Sequence, residues 1–179
     1  SFKPENVLIL SGDHIYKMHY GEMLKAHKES GAAVTIAVMP VPWEEASRFG
    51  IMNVDEEGTI TDFEEKPAEP KSNLASMGIY IFTYEVLKKY LEADERDPSS
   101  ANDFGKNIIP TMLENGEKMV SFRFEGYWKD VGTIHSLWEA NMDLVDQPPK
   151  FDLNDRSWSI YSRNMALAPH YVGQNAKIT

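Results

Sequence analysis

Three continuous apolar runs constrain the fold of this chain more than any other feature. They occupy residues 7–10 (VLIL), 33–41 (AVTIAVMPV) and 74–83 (LASMGIYIFT). The first is typical of a strand buried on both faces of a parallel sheet, and the other two are also typical of buried strands. Amphipathic segments at residues 20–29 and 84–93 lie between and after them and predict helices. Strands and helices in this order predict a mixed α/β sheet with flanking helices.

The rest of the pattern adds a hairpin and several shorter elements. Residues 50–54 and 59–63 flank an Asp-Glu-Glu-Gly turn that ends at Gly58, which predicts a β-hairpin. Thr133 is placed to cap the last helix. The remaining predicted elements are a helical turn at residues 44–48, a helix at 104–114, a strand at 118–124 and a helix at 133–145.

The acidic balance of the chain excludes several classes of partner. Its 179 residues carry 18 Lys and Arg against 28 Asp and Glu, a net charge of −10, whereas general nucleic-acid binding needs a basic surface. There is no cysteine, which excludes disulfides and thiolate ligands and suits a reducing compartment. The apolar runs are too short to cross a membrane, and the N-terminus lacks a signal-peptide core. We therefore expect a cytoplasmic protein without nucleic-acid or membrane partners.

Two aspartates near opposite ends of the chain have the surroundings of a metal site. Asp13 follows the first run in Ser-Gly-Asp-His-Ile-Tyr, and Asp130 lies in Trp-Lys-Asp-Val-Gly-Thr before the last helix. Beyond the carboxyl ends of strands, one or two carboxylates can hold Mg²⁺ beside phosphates and water. Each motif alone also fits ordinary turn or helix-start chemistry. His14 alone is more typical of a packed or hydrogen-bonded loop histidine than of a ligand.

Glu65, Lys66 and Pro67 form a further motif between the two aspartates. Adjacent side chains on an extended segment point to opposite sides, so we expect Glu65 and Lys66 not simply to pair with each other. A lysine fixed beside a cleft binds phosphate as a point charge, and a glutamate accepts hydrogen bonds from sugar hydroxyls. The alternative is a solvated strand end. Together with the aspartates, the motif favours an enzyme that acts on phosphorylated sugars.

Two other segments offer candidate residues. Gly78, inside the third run, allows either close core packing or the approach of a ligand to the backbone, with Ser76 donating a hydrogen bond. The segment Asn-Asp-Phe-Gly-Lys at 102–106 precedes a helix, and its simplest interpretation is an N-cap. Its Asp-Phe-Gly is not the kinase metal motif, because the glycine-rich loop, strand lysine and catalytic loop of kinases are lacking.

Six segments, taken in order, resemble the glucose-1-phosphate adenylyltransferase (ADP-glucose pyrophosphorylase) family of bacterial glycogen synthesis. They are SGDHIYK, MPVPWEEASRFGIM, FEEKP, LASMGIYIF, NDFGK and YWKDVGT. The short motifs GD, EKP and DVGT recur across sugar-nucleotide pyrophosphorylases, whereas SGDHIYK, ASMGIY and DFGK point to the ADP-glucose branch. The resemblance covers residues 7–179.

This resemblance implies an N-terminally truncated, Rossmann-like (GT-A-like) nucleotidyltransferase domain over residues 1–145. A linker and the start of a left-handed β-helix would follow over residues 146–179, with β-helix segments at 169–173 and 176–179. By resemblance, Asp13 and Asp130 hold Mg²⁺ and, with Lys66, are the expected catalytic residues. The expected substrate-binding residues are Glu65, Lys66, Ser76, Gly78, Asp103, Phe104 and Trp128. The family further implies ATP and glucose-1-phosphate as substrates, and an allosteric homotetramer.

The chain departs from the family pattern in one way that bears on activity. The family's Gly-Gly-x-Gly-x-Arg-Leu loop, which cradles the ATP phosphates, does not occur in its sequence. We therefore expect that this chain alone does not synthesise ADP-glucose. We also expect the apolar edge at residues 7–10 to cause self-association or pairing with a complementary fragment.

Two alternatives to this predicted function stay open. One is a non-catalytic regulatory subunit or sugar-phosphate-binding module of the same family, and the other is a pyrophosphorylase for another sugar nucleotide.

Overall fold

The computed structural model of the chain describes residues 3–161 and 172–177. The chain divides into two compact units, Ser1–Ala140 and Asn141–Thr179. Within the second unit, the Lys150 Nζ lies 2.6 Å from the Asp143 Oδ1, and the described residues of this unit contain no strand. Most of the predicted β-helix segments at 169–173 and 176–179 lie outside the described residues, so the β-helix domain and its boundary stay predictions.

Strands and helices alternate along residues 6–143 in the predicted order, with two additional short strands. The strands are β1 Asn6–Ile9, β2 His14–Tyr16, β3 Val34–Pro40, β4 Gly50–Val54, β5 Ile60–Glu65, β6 Leu74–Thr83, β7 Met119–Arg123 and β8 Trp128–Asp130. The helices are α1 Tyr20–Ser30, α2 Tyr84–Glu95, α3 Ile109–Glu114 and α4 Ile134–Asp143, with a 3₁₀ helix at Trp43–Arg48 and a π-helical turn at Phe104–Ile108.

Strand β6 is the centre of the main sheet. The sheet has the order β5-β4-β6-β3-β7, and β1 also pairs with β6. β6 runs antiparallel to β1, β3 and β4, while β3 and β7 form the parallel pair. The fold is therefore the predicted mixed sheet with flanking helices, consistent with a Rossmann-like α/β architecture.

The first apolar run differs from its prediction. β1 is antiparallel to β6, not part of a parallel array, and Leu8 and Leu10 are 39% and 44% exposed. Within the described residues β1 pairs with β6 alone, so its second edge and part of one face stay open. The prediction of a strand was right, but the prediction of a parallel strand buried on both faces was wrong. Self-association through this edge stays a prediction.

Alternating side chains of β3 and β6 supply two hydrophobic cores, one on each face of the sheet. Val34, Ile36 and Val38 pack with α2 and α3 on one face, whereas Ala37 packs with Met23 of α1 on the other. Fully burying a side chain of this size stabilises the fold by ~1.5–3 kcal/mol. The two cores fix the position of β6 between them.

The turns and caps follow the sequence signals. α1 ends at Gly31, whose φ of 62° is the left-handed conformation that glycine adopts without strain. Gly58, with φ of 83°, closes the β4–β5 hairpin. Thr133 caps α4: its Oγ1 accepts a hydrogen bond from the Ser136 N–H at 3.1 Å, and its own N–H donates to the Ser136 Oγ at 3.2 Å.

The helix predicted over residues 104–114 forms in two parts. A π-helical turn runs from Phe104 to Ile108, and α3 continues from Ile109. Asp103 is the N-cap, with its Oδ1 accepting from the Lys106 N–H at 2.9 Å. Pro110 lies in the first turn of α3, a position that favours proline.

No helix within residues 3–161 and 172–177 is long and apolar enough to cross a membrane.

His27 of α1 is buried in a hydrogen-bond network that joins the helix to the sheet. It is 2% exposed, its Nδ1 lies 2.8 Å from the Thr35 Oγ1, and its Nε2 lies 3.3 Å from the Thr83 Oγ1. The Thr83 hydroxyl donates to the Ala32 carbonyl at 3.2 Å, so it accepts from His27 and the proton is on Nε2. A neutral imidazole thus satisfies both ring nitrogens. Burial, and then the charge of Lys28, lower the pKa of His27.

This lowered pKa predicts that the fold is most stable above the unfolded-state value of about 6.5. Below it, the unfolded chain binds a proton at His27 that the folded chain does not. The free energy of unfolding should therefore fall by up to about 1.4 kcal/mol per pH unit, until the folded-state pKa is reached. Urea denaturation of the wild type and of His27→Gln between pH 8 and pH 5 measures this difference. Parallel stability curves for the two proteins would contradict it.

Candidate active site

A two-stranded antiparallel sheet brings the two predicted aspartates together. β2 and β8 pair His14 with Asp130, Ile15 with Lys129 and Tyr16 with Trp128. The segment that ends at Asp130 was expected to be β-like, but neither strand was delimited from the sequence, because three residues give no periodicity to detect. The only signal is their content of β-branched and aromatic residues.

Asp13, His14 and Asp130 form one cluster, with one ligand atom of each within 4.8 Å of the others. The Asp13 Oδ1 accepts from the Ser11 hydroxyl at 2.7 Å, and this hydrogen bond is the main cause of a lowered Asp13 pKa. The Asp130 Oδ1 accepts from the Gly132 N–H at 2.9 Å. The two loops are also joined directly, since the Val131 N–H donates to the Asp13 carbonyl at 3.2 Å.

The donor set of this cluster fits a divalent cation. Two carboxylates and an imidazole converge, and the Asp13 side chain is 61% exposed, so phosphate and water oxygens have access. Mg²⁺ is usually bound in this way, by one or two carboxylates with the remaining positions left to substrate and water. The predicted meeting of Asp13 and Asp130 is therefore present in the fold, while their binding of Mg²⁺ stays a prediction.

Glu65 and Lys66 lie at the end of β5, where the chain leaves the sheet. Lys66 has φ of 48°, and its N–H donates to the Phe49 carbonyl at 3.1 Å. This turn brings the Lys66 Nζ to 3.9 Å from the Glu65 Oε1. The expectation that the two side chains diverge without pairing was wrong, because it assumed an extended backbone. The contact is at the limit of an ion pair, and the Lys66 side chain is still 65% exposed.

Two glycines leave room for the Glu65 carboxylate. A Cβ on Gly105 would lie 2.6 Å from the Glu65 Oε2, and a Cβ on Gly50 would lie 3.1 Å from it. Partial burial raises the pKa of Glu65, Lys66 opposes that rise, and Asp103 adds to it. Sequence reasoning did not identify Gly50 or Gly105 as site residues. The only available signal for Gly105 was its place in the Asn-Asp-Phe-Gly-Lys segment.

Strand β6 lies beside both parts of the candidate site, the cluster of Asp13, His14 and Asp130 and the pair of Glu65 and Lys66. Ser76, Gly78 and Tyr80 alternate along it at half-buried positions. A Cβ on Gly78 would lie 3.7 Å from the His14 Cε1, next to the acidic cluster. Burial is the main cause of a raised pKa at Tyr80, and the charges of Glu65 and Asp103 raise it further, so the tyrosine lies near the Glu65–Lys66 pair.

The roles of the remaining predicted residues are partly structural in the free chain. The Ser76 Oγ accepts from the Gly78 N–H at 3.2 Å. Phe104 stacks on Tyr80 with ring centroids 5.6 Å apart and packs against the core, so its role in the free chain is structural. Trp128 meets His14 edge-on at 5.4 Å. Contact of these residues and of Asp103 with a sugar stays a prediction.

The mixed α/β sheet, with a carboxylate cluster beside one strand end and an acid–base pair beside another, defines a nucleotidyltransferase domain. Residues 1–147 match the nucleotidyl transferase family, and the chain belongs to that family.

Similar proteins share one name. A glucose-1-phosphate adenylyltransferase from Desulforamulus reducens is 61% identical over 177 residues, which are 99% of this chain and 44% of that protein. Glucose-1-phosphate adenylyltransferases from Clostridium beijerinckii and Bacillus cereus are 62% and 59% identical, and the match covers 99% of this chain and 46% and 47% of those proteins. The chain thus spans less than half the length of these curated relatives.

The space at Gly105 predicts that Gly105→Ala displaces the Glu65 carboxylate and so weakens the binding of any ligand that hydrogen-bonds to it, for which glucose-1-phosphate is the probe. Loss of a hydrogen bond to a charged group costs ~1.5–3 kcal/mol, or about 10–100-fold in affinity. Isothermal titration of the wild type and the variant measures the change. The control is a Glu65→Ala background, in which the added methyl group has no carboxylate to displace. Equal losses in both backgrounds would contradict the role of Gly105.

Proposed function

We propose that this chain is part of a glucose-1-phosphate adenylyltransferase, which forms ADP-glucose and pyrophosphate from ATP and glucose-1-phosphate. The observation that carries the proposal is the β2–β8 pairing, which gathers Asp13, His14 and Asp130 within 4.8 Å. The name shared by the relatives supports the choice of substrates. Glycogen biosynthesis, cytoplasmic location, allosteric control and a homotetramer belong to the same proposal through the family resemblance.

The reaction needs positioning and charge neutralisation, not a general base. A phosphate oxygen of glucose-1-phosphate, already anionic at neutral pH, attacks the α-phosphorus of ATP in line. A new P–O bond forms, and the bond from the α-phosphorus to the oxygen that bridges it to the β-phosphorus breaks, which releases pyrophosphate. Catalysis of this kind depends on holding the two reactants in line and stabilising the charge that develops.

Four charged residues of the candidate site have chemistry that suits these tasks. Asp13 and Asp130 would hold Mg²⁺, which supplies positive charge beside the phosphates when it is bound. The Lys66 ammonium, 65% exposed and 3.9 Å from the Glu65 Oε1, would contact the sugar phosphate as a point charge. The Glu65 carboxylate, 27% exposed and beside Gly105, would accept hydrogen bonds from sugar hydroxyls.

The retained charged residues favour a catalytic protein over a non-catalytic relative. Asp13 and Lys66 contribute little that is visible to the stability of the fold, since their side chains are 61% and 65% exposed. A regulatory subunit or simple binding module would have no need to keep both aspartates and the lysine.

The first test is turnover in the full-length protein. We expect Asp13→Asn and Asp130→Asn each to reduce kcat for pyrophosphate release by at least about 100-fold, because loss of a charged ligand removes transition-state stabilisation. Thermal unfolding should change little, since asparagine has the same shape and can accept the same hydrogen bonds. If either variant keeps near-normal turnover at saturating Mg²⁺, that residue is not a metal ligand.

A second test separates the two substrates. In the full-length protein, Lys66→Ala should raise the KM for glucose-1-phosphate by about 10–100-fold and leave the KM for ATP nearly unchanged, since a charge-assisted bond is worth ~1.5–3 kcal/mol. Lys71→Ala is the matched control, because Lys71 is equally exposed, at 66%, but is paired with Asp62 at 3.0 Å. Equal effects of Lys66→Ala on both KM values would exclude a role at the sugar phosphate.

A further inference from the structure

We propose that His14 is a third protein ligand of the cation held by Asp13 and Asp130, through its Nε2, and that the site therefore binds Mn²⁺ or Co²⁺ in preference to Mg²⁺. This inference rests on the proposed function only for the assignment of the two aspartates. The role of His14 is argued from its own hydrogen bond, distances and packing.

The tautomer of His14 follows from its hydrogen bond. Its Nδ1 lies 3.0 Å from the carbonyl oxygen of Met77. A carbonyl only accepts, so Nδ1 carries the proton, and in the neutral ring the lone pair is on Nε2. Metal-binding histidines almost always donate their second ring N–H to a carbonyl or carboxylate, which fixes the ring for coordination. His14 has this arrangement.

The Met77 carbonyl is available because β6 is irregular at this point. β3 pairs Ile36 with Tyr80 and Val38 with Ser76, so a two-residue step on β3 faces a four-residue step on β6. Gly78, with φ of 65°, lies inside this bulge. Bulges redirect groups out of the regular ladder and are frequent beside active sites. Here the redirected group is the carbonyl that orients His14.

The Nε2 atom lies between the two carboxylates at distances that do not suit hydrogen bonds. It is 3.6 Å from the Asp13 Oδ1 and 3.7 Å from the Asp130 Oδ1, beyond the 2.7–3.2 Å range of N–H···O bonds. Ligands bound to a common cation at ~2.1 Å are separated from one another by about 3.0–3.4 Å. The two distances from Nε2 exceed this separation by only a few tenths of an ångström, and all three ligand atoms already lie within 4.8 Å of one another, so side-chain movements alone would bring them onto one ion.

Packing holds the imidazole in this position. The His14 side chain is only 13% exposed, and its ring meets Trp128 edge-on, at 5.4 Å and 89°. The ring also lies against Gly78, where a Cβ would be 3.7 Å from the His14 Cε1. The nitrogen is thus preorganised, so little rotamer freedom remains to be lost when a cation binds.

The third ligand changes which cation the site prefers. Carboxylate and water oxygens suit Mg²⁺, whereas imidazole suits later divalent ions, and affinity rises from Mn²⁺ to Co²⁺ at nitrogen-containing sites. A two-carboxylate site without His14 would discriminate much less between Mg²⁺ and these ions.

Mn²⁺ alone is the probe that tests this, because its binding is followed by electron paramagnetic resonance without any turnover. We expect the echo modulation of Mn²⁺ bound to the wild-type chain to show coupling to a ¹⁴N nucleus. His14→Gln should remove that coupling and weaken Mn²⁺ binding by about 10–100-fold, with Mg²⁺ affinity changed by less than about threefold. His19→Gln, at an exposed histidine of the same loop region, should keep both the coupling and the affinity.

The outcomes separate this inference from the proposed function. Mn²⁺ binding that is lost in Asp13→Asn and Asp130→Asn, but that shows no ¹⁴N coupling in the wild type, would overturn the role of His14 and leave the aspartate site standing. Absence of Mn²⁺ binding, or binding unaffected by the aspartate substitutions, would overturn the cation site as a whole. The wild-type coupling needs no variant, so the test holds even if His14→Gln folds poorly.

Discussion

The placement of the candidate site depends on one irregularity in strand β6. The strand is fixed in the sheet by pairing with β1, β3 and β4, and Met77 and Ile79 pack into the core beneath it. At Gly78 the backbone adopts φ of 65° and the ladder with β3 is interrupted. The same strand therefore supplies side chains to both cores and the carbonyl that holds His14. Packing of the core and geometry of the acidic cluster are set together.

Long elements could be predicted from the sequence because their signals are local. A strand buried in a sheet needs a continuous apolar run, and the predicted limits of β6 are those observed. α1 ends at Gly31 because only a residue tolerant of positive φ suits that position. β2 and β8 could not be predicted in the same way. Each has three residues, and what makes them strands is a partner at the other end of the unit.

The candidate site shows the same division between local and distant causes. Asp13 and Asp130 could be selected because each follows or ends a β-like segment beside a glycine. The relation between Glu65 and Lys66 could not, because Lys66 has a positive φ and its N–H donates to the Phe49 carbonyl in a neighbouring segment, and no local pattern predicts either. His14 looked ordinary for a related reason. Its partner carbonyl is 63 residues away in the sequence, at a bulge that has no local sequence signal.

Pairing of β2 with β8 is electrostatically unfavourable, because it brings two carboxylates close together. Two carboxylates are brought close by a pairing of only three residues per strand, which is marginal without other contacts. Aromatic packing supplies those contacts, with Tyr16 against Phe124 at 6.4 Å and Trp128 against Phe49 at 5.3 Å. The proposed divalent cation between the carboxylates would turn their repulsion into attraction to a common charge. On that proposal, cation binding and formation of this small sheet would be thermodynamically linked, so that whatever stabilises one would also favour the other.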